Sequence, residues 1–219
     1  ALDAWEAVAP METALACCGV AALDGKLYAV GGIDDDGGSS SLERYDPATN
    51  AWEEMAPMAT ARIGCGVAVL DGKLYAAGGF HDEGGGYLNS VERYDPAANA
   101  WEEVAPMGTA RMAHAVAVLD GKLYAVGGYG LSSVERYDPA LDAWEAVAPL
   151  TLARFGVRVA ALEGKLYAVG GRVELEEEEE EEEVEGPAHS VERFDPASNA
   201  WEEVAPMATA RAFSFALLM

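Results

Sequence analysis

The chain repeats the phrase Ala-Trp-Glu, followed closely by Ala-Pro, five times along its 219 residues. The spacings between successive tryptophans are 47, 49, 43 and 57 residues. All of this variation lies between a Gly-Gly pair and the serine of the next Ser-Val-Glu-Arg or Ser-Leu-Glu-Arg phrase, because this segment holds 8, 10, 4 and 18 residues and the remainder is always 39. A fixed unit with one variable loop is typical of repeat architectures, which use such loops as binding surfaces. The tryptophans are Trp5, Trp52, Trp101, Trp144 and Trp201.

Each repeat carries the patterns of four short strands. In the second repeat, the strand over 65–70 is followed by Asp-Gly, a dipeptide that favours the type I′ turn of a two-residue hairpin. A second strand over 73–77 ends at Gly-Gly, and a third over 90–94 leads through a turn to a fourth around Trp101. Four antiparallel strands in a repeat of this size predict one blade of a β-propeller.

The Gly-Gly pair, the downstream Tyr and Trp, and the phrase Ser-Val-Glu-Arg-Tyr-Asp-Pro resemble Kelch repeats, and the resemblance covers nearly the whole chain. It implies an all-β protein with a Kelch-like β-propeller fold. The phrases DGKLYA, SVERYDP and AWEEVAPM recur almost unchanged. Such uniformity resembles a consensus or computationally designed sequence more than a natural Kelch domain, so we expect a designed protein.

We predict a single domain over residues 1–219 with four full blades. The phrases at the two ends, 1–9 and 211–219, match the fourth and first strands of a blade. Since those two strands of a meander run antiparallel, we expect them to pair and close the ring. The predicted blades cover 15–56, 62–105, 111–148 and 154–205.

The charge of the chain limits the classes of partner. A net charge of −24, from 38 acidic and 14 basic residues, argues against nucleic acid, because phosphates would be repelled. Ten of the acids lie between Glu174 and Glu185, a run that we expect to be solvated. Three cysteines do not form a secreted disulfide framework, and no apolar run is long enough to cross a membrane. We expect a monomer, cytoplasmic or recombinant and soluble, without a targeting signal or a membrane partner.

One alignment column holds an arginine at four of the five strand starts, and Leu15 takes its place at the first. The resemblance to Kelch proteins implies that these arginines line the channel mouth on the partner-binding face and contact an anion or a carboxylate. The alternative is a structural role, in which they pair with acids of the third strands. Both interpretations are open at this point. The arginines are Arg62, Arg111, Arg154 and Arg211, and the acids are Glu43, Glu92, Glu135 and Glu192.

The positions after this arginine column, and those directly after Gly-Gly, differ in every repeat although the rest of the repeat is uniform. Apolar and aromatic walls with a few polar groups are typical of a small-molecule pocket. Arg158 favours this interpretation, because an inner-strand charge without a partner is costly to bury. The alternative is that the residues vary only to fill an uneven channel. The further candidate ligand-binding residues are Phe80, Met112, His114, Tyr129, Phe155, Arg158, Arg172, Phe213 and Phe215.

Cys18, Cys65 and His114 share one column on successive repeats, and Cys and His are zinc ligand types. They lack a local motif such as Cys-x-x-Cys, so we predict no metal site, no cofactor and no catalytic residue. We predict a non-enzymatic protein that binds a small molecule or a short peptide, with a carboxylate as a suitable ligand group, at the channel mouth. The alternative is a scaffold or protein-interaction module that uses the variable loops and has no pocket ligand.

Overall fold

The computed structural model describes residues 6–173 and 188–212. Within these two ranges the chain forms 18 β-strands and no helix long and apolar enough to cross a membrane. Sixteen of the strands form four antiparallel four-stranded sheets, and two short ones form a separate ribbon. This is the all-β, four-blade arrangement that the repeats predict.

The first two blades come from the first two repeats. Blade 1 contains β1 (Gly19–Leu23), β2 (Lys26–Asp34), β3 (Gly37–Asp46) and β4 (Ala51–Glu54). Blade 2 contains β5 (Gly66–Leu70), β6 (Lys73–Ala77), β9 (Val91–Asp95) and β10 (Ala100–Val104). Its variable loop adds the ribbon of β7 (Phe80–His81) and β8 (Gly86–Tyr87). In each blade the strands pair in chain order.

Blades 3 and 4 repeat the same meander. Blade 3 contains β11 (Ala115–Leu119), β12 (Lys122–Val126), β13 (Val134–Asp138) and β14 (Ala143–Val147). Blade 4 contains β15 (Arg158–Leu162), β16 (Lys165–Val169), β17 (Val191–Asp195) and β18 (Ala200–Val204). The first strands of neighbouring blades contact one another in the order β1, β5, β11, β15, so they form the wall of a common channel.

The first hairpin of every blade has the predicted turn. Asp71 and Gly72 have φ angles of 50° and 71°, and positive φ at both central residues defines a type I′ turn. The other blades place Asp24-Gly25, Asp120-Gly121 and Glu163-Gly164 in the same conformation. The twist of this turn matches that of the flanking strands, which fixes the register of the first hairpin.

The hydrophobic core lies between blades. One cluster joins Leu42 and Tyr28 of blade 1 to Leu74 and Tyr94 of blade 2, and two further clusters join blade 2 to blade 3 and blade 3 to blade 4. The inner strands alternate accordingly: Ala68 is buried, while Val67 and Val69 are only partly buried. Each blade therefore depends on its neighbour to bury its apolar face.

A hydrogen-bonded latch also joins each blade to the segment before it. The indole Nε1 of Trp101 donates to the carbonyl oxygen of Ala56 at 2.9 Å, and the N–H of Ala56 donates to Asn99 Oδ1 at 3.0 Å. The same Asn99 Oδ1 accepts a hydrogen bond from the Tyr94 hydroxyl. The other latches join Trp52 to Ala9, Trp144 to Ala105 and Trp201 to Ala148. The repeated tryptophans thus connect neighbouring units as well as filling space.

Two sequence predictions fall mainly outside the described residues. The predicted closing strands involve residues 1–5 and 213–219, and the acidic run lies within 174–187, all of which are outside the described ranges. Residues 6–9 and 211–212, which were also predicted to join the closing pair, are described and form no strand. The closing pair therefore stays a prediction.

Candidate functional site

The channel mouth is bordered by a row of backbone hydrogen bonds. The N–H of Gly64 donates to the Cys17 carbonyl at 3.0 Å, that of Ala113 to Gly64 at 3.0 Å, and that of Gly156 to Ala113 at 2.7 Å. These four residues have φ angles between 54° and 62°, the left-handed region that favours glycine. The sequence varies at the repeat position that these four residues share, and this variation suggests a differentiated channel wall. The left-handed backbone gives a second reason for the residues found there, because it favours small side chains.

Around this row, two variable columns pair within each blade. Ile63 and Phe80 exchange backbone hydrogen bonds of 2.9 and 2.8 Å, and Tyr129 donates its N–H to the carbonyl of Met112 at 3.1 Å. Ala16 pairs with Ile33, and Phe155 with Arg172, in the same way. The residue after the arginine column and the residue after Gly-Gly therefore meet at the mouth, as the sequence suggested.

Three of these side chains and one from a variable loop form a continuous aromatic row across blades 2, 3 and 4. The ring centroids of Phe80 and Tyr87 are 6.1 Å apart, those of Tyr87 and Tyr129 are 6.4 Å apart, and those of Tyr129 and Phe155 are 4.6 Å apart. Tyr87 and Tyr129 are 46% and 40% exposed, whereas Phe155 is buried. We call Phe80, Tyr87, Tyr129 and Phe155 the aromatic row.

The sequence interpretation missed Tyr87, which lies inside a variable loop. The ribbon pairs Tyr87 with Phe80 and so brings it back to the mouth. The signal was present, because the glycines between the two aromatic residues, Gly84, Gly85 and Gly86, favour a tight turn, and Gly85 has a φ of 68°. The side chain of Asp82 accepts a hydrogen bond from the Gly38 N–H at 2.8 Å, which ties this loop to blade 1.

The predicted ligand role of Arg62, Arg111 and Arg154 is not supported by their placement, which matches the structural alternative. Their side chains are at most 1% exposed and form ion pairs with Glu92, Glu135 and Glu192 at 3.0, 2.9 and 2.5 Å. The guanidinium groups also donate to backbone carbonyl oxygens of the Gly-Gly and serine segments of their own blades. A ligand at the mouth cannot contact these three guanidinium groups unless their ion pairs and hydrogen bonds are broken.

The first and last members of the arginine column differ from these three. Leu15 leaves blade 1 without a guanidinium group at this position, although Glu43 is present and buried. Arg211 is exposed, and its backbone pairs with Gly171 and Ala188 as the other arginines pair with their neighbours. Its side chain borders the channel cavity, so it is the one arginine of this column, all four of which are described, that solvent reaches freely.

His114 is another candidate that the structure buries. Its ring fits between blades 2 and 3 because Gly66 and Gly78 have no side chains there. Both ring nitrogens lack a hydrogen-bond partner among the described residues, and burial, with a smaller effect of Arg111, lowers the pKa of His114 to about 3. The neutral His114 ring therefore packs between the two blades, and this burial does not support its predicted contact with a ligand.

The cysteines of the same column do not join His114 in one site. The Cys65 thiol lies 4.0 Å from the Val30 carbonyl of blade 1, so each member of the column occupies its own blade interface. Burial raises the pKa of Cys65 to about 11 and also raises that of Cys18. Across the described part of the chain, no three His, Cys, Asp or Glu side chains are grouped to hold a metal ion.

The channel itself encloses a cavity of about 630 Å³. Valines of the inner strands, such as Val67 and Val116, form much of its wall, together with Arg158 and Arg211. Arg158 is half-buried and donates to the carbonyl of Val157 at 3.2 Å, and burial lowers its pKa from the usual value. Phe213 and Phe215, the remaining predicted contacts, lie outside the described residues.

Comparison with known proteins agrees with this geometry. The Kelch motif matches residues 14–59, 61–108, 110–151 and 153–208, which is most of the chain. The chain belongs to the Kelch-repeat family. Each matched Kelch segment contains one of the four sheets, so the family repeat and the blade coincide.

The chain is also similar to one curated human protein over a short segment and to one solved structure over most of its length. Human Kelch-like protein 33 is 46% identical over 46 residues, which cover 21% of this chain and 9% of that protein. The chain thus matches less than a tenth of the length of this curated relative. The solved structure of YjhT has a TM-score of 0.84 and 19% sequence identity, over 97% of this chain and 77% of that chain. At this identity the similarity shows the fold alone.

Proposed function

We propose that this Kelch protein is a non-enzymatic binding module that takes a short peptide segment of a partner protein on the loop face of the channel. The observation that carries the proposal is the aromatic row, which crosses three blades and leaves Tyr87 and Tyr129 exposed. Tyrosine is enriched at protein interfaces because it offers a large apolar ring and a polar hydroxyl group. An exposed row of this kind fits an apolar or aromatic side chain of a partner.

The row is held in place before any ligand arrives. Phe80 is fixed by two backbone hydrogen bonds to Ile63, and Tyr129 by its contact with the buried Phe155. Rigid aromatic side chains lose little conformational entropy on binding, which favours affinity. The row therefore has the properties of an interface centre, around which the variable loops form the rim.

Charge indicates the chemistry of the partner segment. The loops beside the row expose Asp35, Asp36, Asp82 and Glu83, whereas three of the predicted arginines are buried in ion pairs. The carboxylate-bearing ligand expected from the sequence therefore loses its main support. We propose instead a peptide with an apolar or aromatic residue next to lysine or arginine, since the acidic rim would attract such a segment.

A peptide display selection against the intact chain tests this function. We expect selected peptides to be enriched in aromatic and basic residues, and to bind the Tyr87→Ala, Tyr129→Ala double variant at least about tenfold more weakly, because anchor residues of this kind commonly contribute more than about 1 kcal/mol each. Leu141→Ala is the matched control, since Leu141 is 75% exposed in a turn of blade 3 outside the row. Equal affinity for all three proteins would reject the site.

A second candidate function rests on the cavity. Its volume of about 630 Å³ lies within the range of small-molecule sites, and its wall is mostly apolar. We propose an apolar small molecule as the alternative ligand. A Val67→Trp variant would fill the channel and should abolish such binding while leaving peptide binding at the aromatic row unchanged. Loss of both activities, or of neither, would argue against separate sites.

A further inference from the structure

In blades 2, 3 and 4, the side chain of the column arginine donates hydrogen bonds to the same set of acceptor groups. In blade 2, Arg62 Nη1 donates to the carbonyl oxygens of Gly78 and Ser90 at 2.8 and 3.0 Å, and Nη2 donates to Ser90 Oγ at 2.8 Å. Both Nε and Nη2 donate to Glu92 Oε1. The Nη1 and Nη2 groups of Arg111 in blade 3 repeat these contacts with Gly127, Ser133 and Glu135, although its Nε has no partner among the described residues. Arg154 in blade 4 contacts Gly170, Ser190 and Glu192 through the same two nitrogens.

Blade 1 retains the acceptors but not the arginine. Gly31, Ser41 and Glu43 occupy the acceptor positions in the repeat, and Leu15 stands where the arginine would be. The backbone next to the arginine column pairs as it does in blade 2, because Ala16 and Ile33 exchange hydrogen bonds of 2.9 and 2.8 Å as Ile63 and Phe80 do. Blade 1 therefore has the same acceptor types beside the same backbone pairing, with one difference, which is that the Ser41 hydroxyl already accepts a hydrogen bond from the Ser39 hydroxyl at 2.9 Å.

Glu43 is the strongest indication that this site takes a ligand. It is only 5% exposed, as buried as its paired counterparts, and among the described residues its side chain has one hydrogen-bond donor, the Glu12 N–H at 3.3 Å. Glu92, by comparison, accepts from the N–H groups of Ala59 and Thr60 as well as from Arg62. No Lys or Arg side chain in residues 6–173 and 188–212 forms an ion pair with Glu43. A buried carboxylate without a cation is costly, so binding of a cation here is favoured.

We propose that blade 1 contains a guanidinium-binding site that receives the arginine side chain of another polypeptide. The acceptors are the Glu43 carboxylate, the Ser41 hydroxyl and carbonyl groups, and the Gly31 carbonyl. Leu15 cannot satisfy them, because a leucine side chain has no donor and ends where the guanidinium group of an arginine begins. The planar fork of a guanidinium ion matches this set of acceptors, whereas a lysine ammonium group presents a point charge.

Blade 2 shows how a side chain could reach such a site. There the Arg62–Glu92 pair borders a groove of about 400 Å³, together with Met58, Thr60 and Trp101. The residues at the same repeat positions in blade 1 include Met11, Thr13 and Trp52. We infer that an incoming arginine approaches Glu43 between the 9–13 segment and the outer strands of blade 1.

Thermal unfolding in the presence of small cations tests the site in the intact chain. We expect guanidinium chloride at about 1–20 mM to raise the unfolding midpoint saturably, and tetramethylammonium chloride at the same ionic strength not to do so. Binding should weaken about tenfold in Glu43→Gln, because the substitution removes the negative charge that strengthens the hydrogen bonds to guanidinium. An equal response of the wild type and Glu43→Gln to guanidinium would overturn the proposal.

Two peptides distinguish the source of the guanidinium group. An N-acetyl-Gly-Arg-Gly-amide peptide that binds at least about tenfold more tightly than free guanidinium supports a partner's arginine. Equal affinities reduce the inference to a small-cation site and overturn the partner assignment. The corresponding lysine peptide should bind more weakly than the arginine peptide, and equal binding of the two would overturn the guanidinium selectivity.

A substitution in the site provides a test that needs no added ligand. Leu15→Arg should raise the unfolding midpoint by forming the fourth ion pair of the series, and it should abolish the response to guanidinium. Leu15→Met is the control for side-chain length. The gain should disappear in the Leu15→Arg, Glu43→Gln double variant. If Leu15→Arg lowers the unfolding midpoint, and guanidinium does not raise the midpoint of the wild type, the proposal is wrong.

Discussion

The guanidinium group of Arg111 donates a hydrogen bond of 2.9 Å to the carboxylate of Glu135 in the interior of blade 3, where the two side chains are 0% and 8% exposed. The same carboxylate accepts the N–H groups of Gly108 and Thr109 from the loop that precedes β11. Replacing one member of a buried pair leaves the other charge uncompensated. We predict that Glu135→Gln lowers the free energy of unfolding by about 3–5 kcal/mol, measured by urea denaturation.

Glu145→Gln is the matched control for this prediction. Glu145 also pairs with an arginine of blade 3, Arg136, but the carboxylate is 58% exposed. Surface pairs contribute about 0–1 kcal/mol, so this variant should be close to the wild type. Similar losses in the two variants would show that burial does not determine the strength of the pairs.

The latch between blades predicts a second stability effect. Asn99→Ala removes the acceptor for both the Ala56 N–H and the Tyr94 hydroxyl, and it places alanine at a φ of 48°. We expect a loss of about 2 kcal/mol in urea denaturation, at roughly 1 kcal/mol for each hydrogen bond. Asn99→Asp should be nearly neutral, because Asp142 performs the same role in blade 3. A large loss in Asn99→Asp would contradict this account of the latch.

Ala113 has a φ of 54°, where an L-residue is strained. We predict that Ala113→Gly raises the free energy of unfolding by about 0.5 kcal/mol, because relief of the strain exceeds the added freedom of the unfolded chain. Ala98→Gly, in a turn position without positive φ, should be destabilising. The unfolding midpoint of Ala113→Gly should therefore be higher than that of Ala98→Gly. A lower midpoint for Ala113→Gly would argue against strain at the channel mouth.

His114 predicts a pH effect. Its folded pKa of about 3 lies below the ordinary value of 6.5, so the unfolded state binds the extra proton between these two values. The corresponding stability is fully present above pH 6.5 and is lost as the pH falls toward 3. We predict that His114→Val, chosen because Val157 occupies this position in blade 4, removes about 2 kcal/mol of the stability difference between about pH 8 and pH 5, measured by urea denaturation. Unchanged pH dependence would show that the pKa of His114 in the folded protein is close to its ordinary value, contrary to this account.

Much of the fold could be predicted from the sequence because the repeat specifies it locally. The Asp-Gly dipeptides determine type I′ turns at Asp71-Gly72 and its equivalents, and the alternation in β5 distinguishes the buried Ala68 from the channel-facing Val67. The shared repeat also indicated that the variable residues after Gly-Gly meet the inner strands at the mouth. That the sequence was designed stays a prediction.

The side-chain roles were harder to predict because neighbouring blades determine them. Nothing local distinguishes an arginine that turns inward to Glu92 from one that faces a ligand, since both begin at the same backbone position. His114 is buried only because Gly66 and Gly78, far apart in the chain, leave space for its ring. Tyr87 was missed because its position depends on the pairing of a loop ribbon with Phe80.

The most direct test of the proposed function is a crystal structure of the chain in complex with a peptide selected against it. We predict that an apolar or aromatic peptide side chain lies against Tyr87 and Tyr129, and that a neighbouring lysine or arginine approaches the acidic loops of blades 1 and 2. A peptide bound on the outer strands or at the opposite end of the channel, with the aromatic row exposed to solvent, would contradict the account.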